Sequence, residues 1–87
     1  RYGGDEFMVL LPHTPRTAAA DVAERIRRTV ESTPLLVGRE VTSVTVSLGV
    51  AGFPEDGDTT VTLIDAADRN MYRVKQAGGN AVAVAVP

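Results

Sequence analysis

The sequence predicts an α+β fold in which helices cover one face of a sheet, in the element order β-α-β(β)-α-β. Two stretches, 19–30 and 63–74, repeat apolar residues at helical spacing, whereas 44–51 alternates at the two-residue period of a strand. Strands that alternate with helices are typical of layered sheets. The short ribbon expected between the helices favours a mixed or mainly antiparallel sheet.

Length and composition place the chain among small globular domains. It has 87 residues, 44% hydrophobic residues and a net charge of −2, so nothing indicates a nucleic-acid or membrane surface. The absence of cysteine excludes a disulfide framework and thiolate metal sites, and it fits a cytoplasmic location. No apolar stretch approaches the roughly 20 residues that span a bilayer.

The first element is predicted as a β-hairpin tip followed by a strand over 5–11. Two glycines in Gly3-Gly4-Asp5-Glu6 permit a tight reversal, and the apolar run behind them indicates a buried strand that ends at Pro12. Only Arg1 and Tyr2 precede the tip. We therefore expect the chain to begin inside a structural unit, with an exposed strand edge that favours self-association.

The first helix is predicted to start with Thr14 as its cap and Pro15 at its first position, and to end at 32–34. Ion pairs at i,i+4 are expected on its exposed face. Its apolar stripe consists of Ala19, Val22, Ala23, Ile26 and Val30.

Beyond this helix, 35–41 is predicted as a short ribbon that turns at Gly38. In 44–51 one face is apolar and the other carries only small residues, which indicates close approach by a helix or a ligand. A second helix is predicted from a cap at Asp58 or Thr59 to a left-handed stop at 78–80. Its stripe is Leu63, Ile64, Ala67, Met71 and Val74, and a last strand is expected over 81–86.

The chemistry expected of this chain centres on Gly3-Gly4-Asp5-Glu6. Taken alone, it has an alternative interpretation as an acidic turn with solvated carboxylates. Aspartate and glutamate oxygens, however, are ligands that Mg²⁺ prefers when it bridges a protein to phosphates. The glycines allow the backbone to approach a nucleotide, and Lys75 near the end of the second helix is able to neutralise phosphate charge.

Several segments, in the right order and over nearly the whole chain, together resemble the GGDEF domain of bacterial diguanylate cyclases. They are Arg1-Tyr2-Gly3-Gly4-Asp5-Glu6-Phe7, Val44-Thr45-Val46-Ser47-Leu48-Gly49-Val50-Ala51, Pro54-Glu55-Asp56-Gly57-Asp58, and, in and after the second helix, Ala67-Asp68, Met71-Tyr72, Lys75 and Gly78 to Asn80.

The resemblance implies a ferredoxin-like fold shared with nucleotidyl cyclases, and a homodimer that condenses two GTP into cyclic di-GMP and pyrophosphate. It also implies a Mg²⁺ cofactor, with Mn²⁺ as a substitute. Asp5 would bind metal and assist deprotonation of the 3′-hydroxyl, Glu6 would support the metal, Gly3 and Gly4 would lie against the nucleotide, and Lys75 would contact the terminal phosphates.

By the same resemblance, residues 1–87 correspond to the C-terminal half of the domain. The upstream half of the family pattern holds a second metal-binding aspartate, the guanine-reading pair and an inhibitory Arg-x-x-Asp motif. Gly79 stands where the family often carries a phosphate-binding arginine. We therefore expect the 87-residue piece alone to make no product. The alternatives are a catalytically degenerate module that binds GTP or regulates a neighbouring domain, and a purely structural α+β module.

The remaining conspicuous side chains are interpreted structurally. His13 is expected in a loop without a functional role. Packing positions are predicted for Phe7, Phe53, Met71 and Tyr72. Asp65 and Asp68 are expected on the polar face of a helix or in a structural hydrogen bond.

Overall fold

The fold, in a computed structural model that describes residues 3–85, has two helices and two small two-stranded sheets, so the predicted α+β class is confirmed. The elements in chain order are α1 (Arg16–Glu31), β1 (Leu35–Val37), β2 (Glu40–Thr42), β3 (Leu48–Val50), α2 (Thr60–Gln76) and β4 (Val82–Val84).

The predicted ribbon between the helices is an antiparallel hairpin of β1 and β2. Leu36 pairs with Val41 at its centre. Gly38 takes a φ of 62° in the turn, a conformation that glycine adopts without the steric cost of a Cβ. This hairpin forms a sheet of its own and does not extend the sheet of β3 and β4.

The core sheet consists of β3 and β4, which run parallel with Gly49 opposite Ala83. Val50 packs with Ala19 and Ala23 of α1, whereas the adjacent Gly49 faces the backbone of α2. Successive residues of a strand point to opposite faces, so the two helices lie on opposite faces of this sheet. The prediction that they share one face was wrong.

Helix α2 lies unusually close to β3. A Cβ at Gly49 would lie 1.9 Å from the carbonyl oxygen of Ala67, which confirms that a helix approaches the small-residue face. At Val50, the residue after Gly49 in β3, the backbone carbonyl accepts a 2.9 Å hydrogen bond from Asn70 Nδ2 of α2. Asn70 is only 2% exposed and belongs to the buried face of α2, although its polarity kept it out of the predicted stripe.

Both ends of α2 follow their sequence signals. Thr59 is the N-cap and forms a reciprocal capping box with Thr62. After the last helical residue, Gly78 and Gly79 take φ values of 114° and 79°, and the Gly79 amide donates to the Val74 carbonyl. The cap and the left-handed stop are therefore confirmed.

Helix α1 ends as predicted but begins one residue later than expected. Pro15 is its N-cap, and the Thr14 hydroxyl donates to the Pro12 carbonyl instead of capping the helix. Thr14 therefore stabilises the preceding turn. The helix ends at Glu31 with Ser32 as its C-cap.

Two polar contacts tie α1 to distant parts of the chain. Arg16 Nη1 lies 2.8 Å from Asp56 Oδ1, while Asp56 Oδ2 accepts a 2.7 Å hydrogen bond from the Gly52 amide. At the other end, Arg27 donates to Glu24 and to Asn80, which follows α2. The hydrogen bonds from Arg27 hold the pKa of Glu24 below its usual value.

The strand predicted over 5–11 was wrong. A strand needs a hydrogen-bonded neighbour, and within residues 3–85 no segment pairs with this run. Leu11 packs against the core, but Phe7 is 76% exposed, so the predicted burial of Phe7 was also wrong. Phe53 is likewise exposed, at 67%. The last strand is shorter than predicted, and Val86 lies outside the described residues.

Candidate active site

A cleft of about 440 Å³ lies between the start of the chain and α2. One side, which we call the acidic wall, is formed by Asp5 and Glu6. The other, the helical wall, is formed by residues of α2. These are Asp68, Arg69, Met71, Tyr72 and Lys75.

The acidic wall follows a tight turn. The Gly3 amide donates to the Glu6 carbonyl at 3.2 Å. Of the two carboxylate residues in the turn, Glu6 is half-buried and Asp5 is exposed. Among residues 3–85, no atom beyond Gly4 itself and its two neighbours lies within 4 Å of the position of a Cβ on Gly4. The role predicted for Gly3 and Gly4 against a nucleotide stays a prediction.

The helical wall arises from the periodicity of α2. Asp68, Tyr72 and Lys75 stand at i, i+4 and i+7, a spacing that brings side chains to one helical face. Tyr72 is 60% exposed, and its hydroxyl accepts a 3.1 Å hydrogen bond from Gln76. The packing role predicted for Tyr72 was therefore wrong, whereas Met71 is half-buried as expected.

Charges of both signs meet across this cleft. Asp5, Glu6 and Asp68 supply three carboxylates, and Arg69 and Lys75 supply two cations. Such a lining is suited to a ligand that combines anionic groups with a bound cation, because each charge then has a partner.

The acidic wall fits part of a Mg²⁺ coordination shell. Within residues 3–85 no group of three or more histidine, cysteine, aspartate or glutamate side chains is placed to hold a metal ion. Mg²⁺ normally takes one or two protein carboxylates and completes its shell with water and substrate phosphates. Asp5 and Glu6 can provide the protein's share of that shell, so the pair fits a metal that arrives with a nucleotide.

The structure thus brings Asp5, Glu6 and Lys75, three residues singled out from the sequence, to one cleft. Gly3 and Gly4 immediately precede the acidic wall. Sequence reasoning missed Arg69 as part of the cleft and gave Asp68 a place on the polar face of the helix or in a structural hydrogen bond. The three-residue spacing of Arg69 from Tyr72 was the signal that could have found it.

Comparison with known protein families identifies the chain. The family model described as diguanylate cyclase, GGDEF domain, matches residues 1–81. The chain belongs to the GGDEF family. The resemblance seen in the sequence is thereby confirmed, and so is the assignment to the class of diguanylate cyclase domains.

Individual relatives agree with the family match. The chain is 45% identical over 84 residues to the response regulator PleD of Caulobacter vibrioides, covering 94% of this chain and 18% of PleD. It is 40% identical over 82 residues to diguanylate cyclase A of Treponema denticola, covering 94% of this chain and 22% of the relative. Diguanylate cyclase DgcP of Pseudomonas aeruginosa is 36% identical over 85 residues, which cover 98% of this chain and 12% of DgcP.

This GGDEF chain therefore spans about a fifth or less of the length of these curated relatives. Neither helix within residues 3–85 is long and apolar enough to cross a membrane.

Proposed function

We propose that the protein carrying this chain is a diguanylate cyclase that condenses two GTP molecules into cyclic di-GMP and pyrophosphate. The observation that supports this most directly is the position of Asp5 and Glu6 across one cleft from Lys75. A nucleoside triphosphate with a divalent metal needs this combination of carboxylates and cation.

Each residue has a distinct part in this proposal. Asp5 and Glu6 hold a divalent metal, Mg²⁺ with Mn²⁺ as a substitute, which when bound neutralises charge on the phosphates. Asp5 also accepts the proton of the attacking 3′-hydroxyl. Lys75 holds the terminal phosphates, and the backbone at Gly3 and Gly4 lies against the nucleotide.

The reaction requires two GTP molecules, and one cleft of this size serves one of them. We propose that two copies of the protein form a homodimer, with one GTP in each subunit. The 3′-hydroxyl of each nucleotide then attacks the α-phosphate of the other, and each attack displaces one pyrophosphate, two in all. The predicted cytoplasmic location, and the assignment of residues 1–87 to the C-terminal half of the domain, stay predictions.

The test is a turnover assay on the full-length protein, incubated with GTP and Mg²⁺ and analysed chromatographically for cyclic di-GMP. Asp5→Ala is expected to abolish product formation without loss of the fold, because Asp5 is exposed. The matched control is Asp21→Ala, which removes an exposed carboxylate of α1 that does not line the cleft.

Three results would contradict the proposal in different ways. A folded wild-type dimer that binds GTP but makes no cyclic di-GMP would refute the cyclase activity and favour a regulatory GTP-binding module. Full activity in Asp5→Ala would refute the role of Asp5. Equal losses in Asp5→Ala and Asp21→Ala would show that the effect is not specific to the cleft.

A further inference from the structure

Arg69 lies in the same cleft as the proposed metal and phosphate ligands. It begins a row of three residues on α2, Arg69, Tyr72 and Lys75, each three positions from the next. Residues at this spacing are neighbours on a helix surface. The two cations are about 9 Å apart along the helix axis and about 120° apart around it, at about 1.5 Å and 100° per residue. Because both line the cleft, their long side chains can reach one extended ligand.

The present partner of Arg69 does not hold it firmly. Its Nε lies 3.2 Å from Asp65 Oδ2, and the two side chains are 70% and 64% exposed. Ion pairs exposed to this degree contribute little to stability, because water screens the charges and the side chains lose conformational freedom. An anionic ligand in the cleft is therefore able to take Arg69 from Asp65 at small cost.

The charges of the cleft favour a contact between Arg69 and a bound triphosphate over the ion pair of Arg69 with Asp65. A triphosphate carries more negative charge than Lys75 alone neutralises, and Asp68 adds a further carboxylate on the same wall. A guanidinium presents several donors in a planar fork that matches phosphate oxygens, which an ammonium does not.

We propose that Arg69 is a second phosphate-binding residue, which leaves Asp65 and binds the polyphosphate of the nucleotide together with Lys75. This inference rests on the proposed function, since it assumes that the cleft takes GTP. The inference gives Arg69 the role of strengthening the binding of GTP through its phosphates without changing the binding of the nucleoside part.

The experiment measures, by calorimetry with Mg²⁺ present, the binding of guanosine and of GTP to the full-length wild type, Arg69→Gln and Arg73→Gln, with GTP supplied as 3′-deoxy-GTP, which lacks the attacking hydroxyl and is not turned over. Arg73 is the matched control, because it is an exposed arginine of the same helix that does not line the cleft. Arg69→Gln is expected to raise the Kd for GTP about tenfold, as for loss of one charge-assisted hydrogen bond. The Kd for guanosine should stay unchanged, and Arg73→Gln should bind GTP like the wild type.

A further variant separates ligand binding from a structural role. Asp65→Asn frees Arg69, so GTP binding should be unchanged or tighter. If Asp65→Asn instead weakens GTP binding as much as Arg69→Gln does, the ion pair is structural and the proposal is overturned. Circular dichroism of each variant checks that α2 is intact.

The remaining outcomes distinguish this proposal from the proposed function. If the wild type does not bind GTP, the proposed function fails and this inference falls with it. If the wild type binds GTP but Arg69→Gln binds it as tightly as Arg73→Gln does, only the role of Arg69 is refuted. The role of Arg69 is likewise refuted if Arg69→Gln weakens the binding of GTP and the binding of guanosine equally.

Discussion

Replacement of Gly49 by alanine should force α2 away from β3. The new Cβ would lie 1.9 Å from the carbonyl oxygen of Ala67 and 2.4 Å from the amide nitrogen of Met71. Ordinary contact begins at 3.4 Å, so the helix must retreat by about 1.5 Å. Both opposing atoms belong to the backbone and cannot rotate aside. We therefore expect a loss of about 3 kcal/mol, the upper part of the usual range for overpacking.

Amide hydrogen exchange, followed by mass spectrometry on the full-length protein, reports this loss locally. At about 1.4 kcal/mol per factor of ten, the amides of α2 should exchange about 100-fold faster in Gly49→Ala than in the wild type. Val61→Ala is the control, since it shortens a side chain of the same helix that is 76% exposed. If α2 exchanges equally fast in both variants, the close approach of α2 to β3 is wrong.

Two further predictions concern contacts outside the cleft. Asp56→Ala should cost about 3 kcal/mol, because it leaves Arg16 without its partner at a site where Asp56 is 5% exposed. Amide exchange around residue 52 measures this, and the exposed Asp58→Ala should show no such loss. Hydrogen bonds from Arg27 lower the pKa of Glu24. The ionised Glu24 carboxylate therefore contributes to stability above about pH 4.5, and this contribution is lost as the pH falls through the lowered pKa. The melting temperature of Glu24→Gln should therefore fall less than that of the wild type between neutral and acid pH, and equal falls would refute this.

The sequence predicted local structure where the signals are local. The cap at Thr59 and the stop at 78–80 set the ends of α2, since each depends on residues within one turn of the helix. The strand over 5–11 was wrong for the opposite reason. An apolar run becomes a strand only when another segment supplies its hydrogen bonds, and no pattern inside the run shows whether that segment is present.

The site was predictable in part. The carboxylates of Asp5 and Glu6 and the amine of Lys75 are separated by about 70 residues in the sequence, so only resemblance to a family could join them before the fold was known. The exposure of Tyr72 and the place of Arg69 on the cleft depend on which face of α2 meets the sheet. The buried face of α2 carries Ala66, Asn70 and Val74. It meets the sheet where Gly49 lets the helix backbone approach closely, which is a tertiary property.

The two walls of the cleft are held by contacts of different kinds. The helical wall is fixed to β3 by the close approach at Gly49 and by the buried hydrogen bond from Asn70, so Lys75 moves only if α2 moves. The acidic wall is placed by the Gly3 turn and by the packing of Leu11, without ladder bonds within residues 3–85. Changes at the β3–α2 contact must therefore alter the distance between cation and carboxylates, although no residue of that contact except Met71 lines the cleft. A methyl group at position 49 is therefore expected to perturb helix stability and the proposed nucleotide binding by the same displacement.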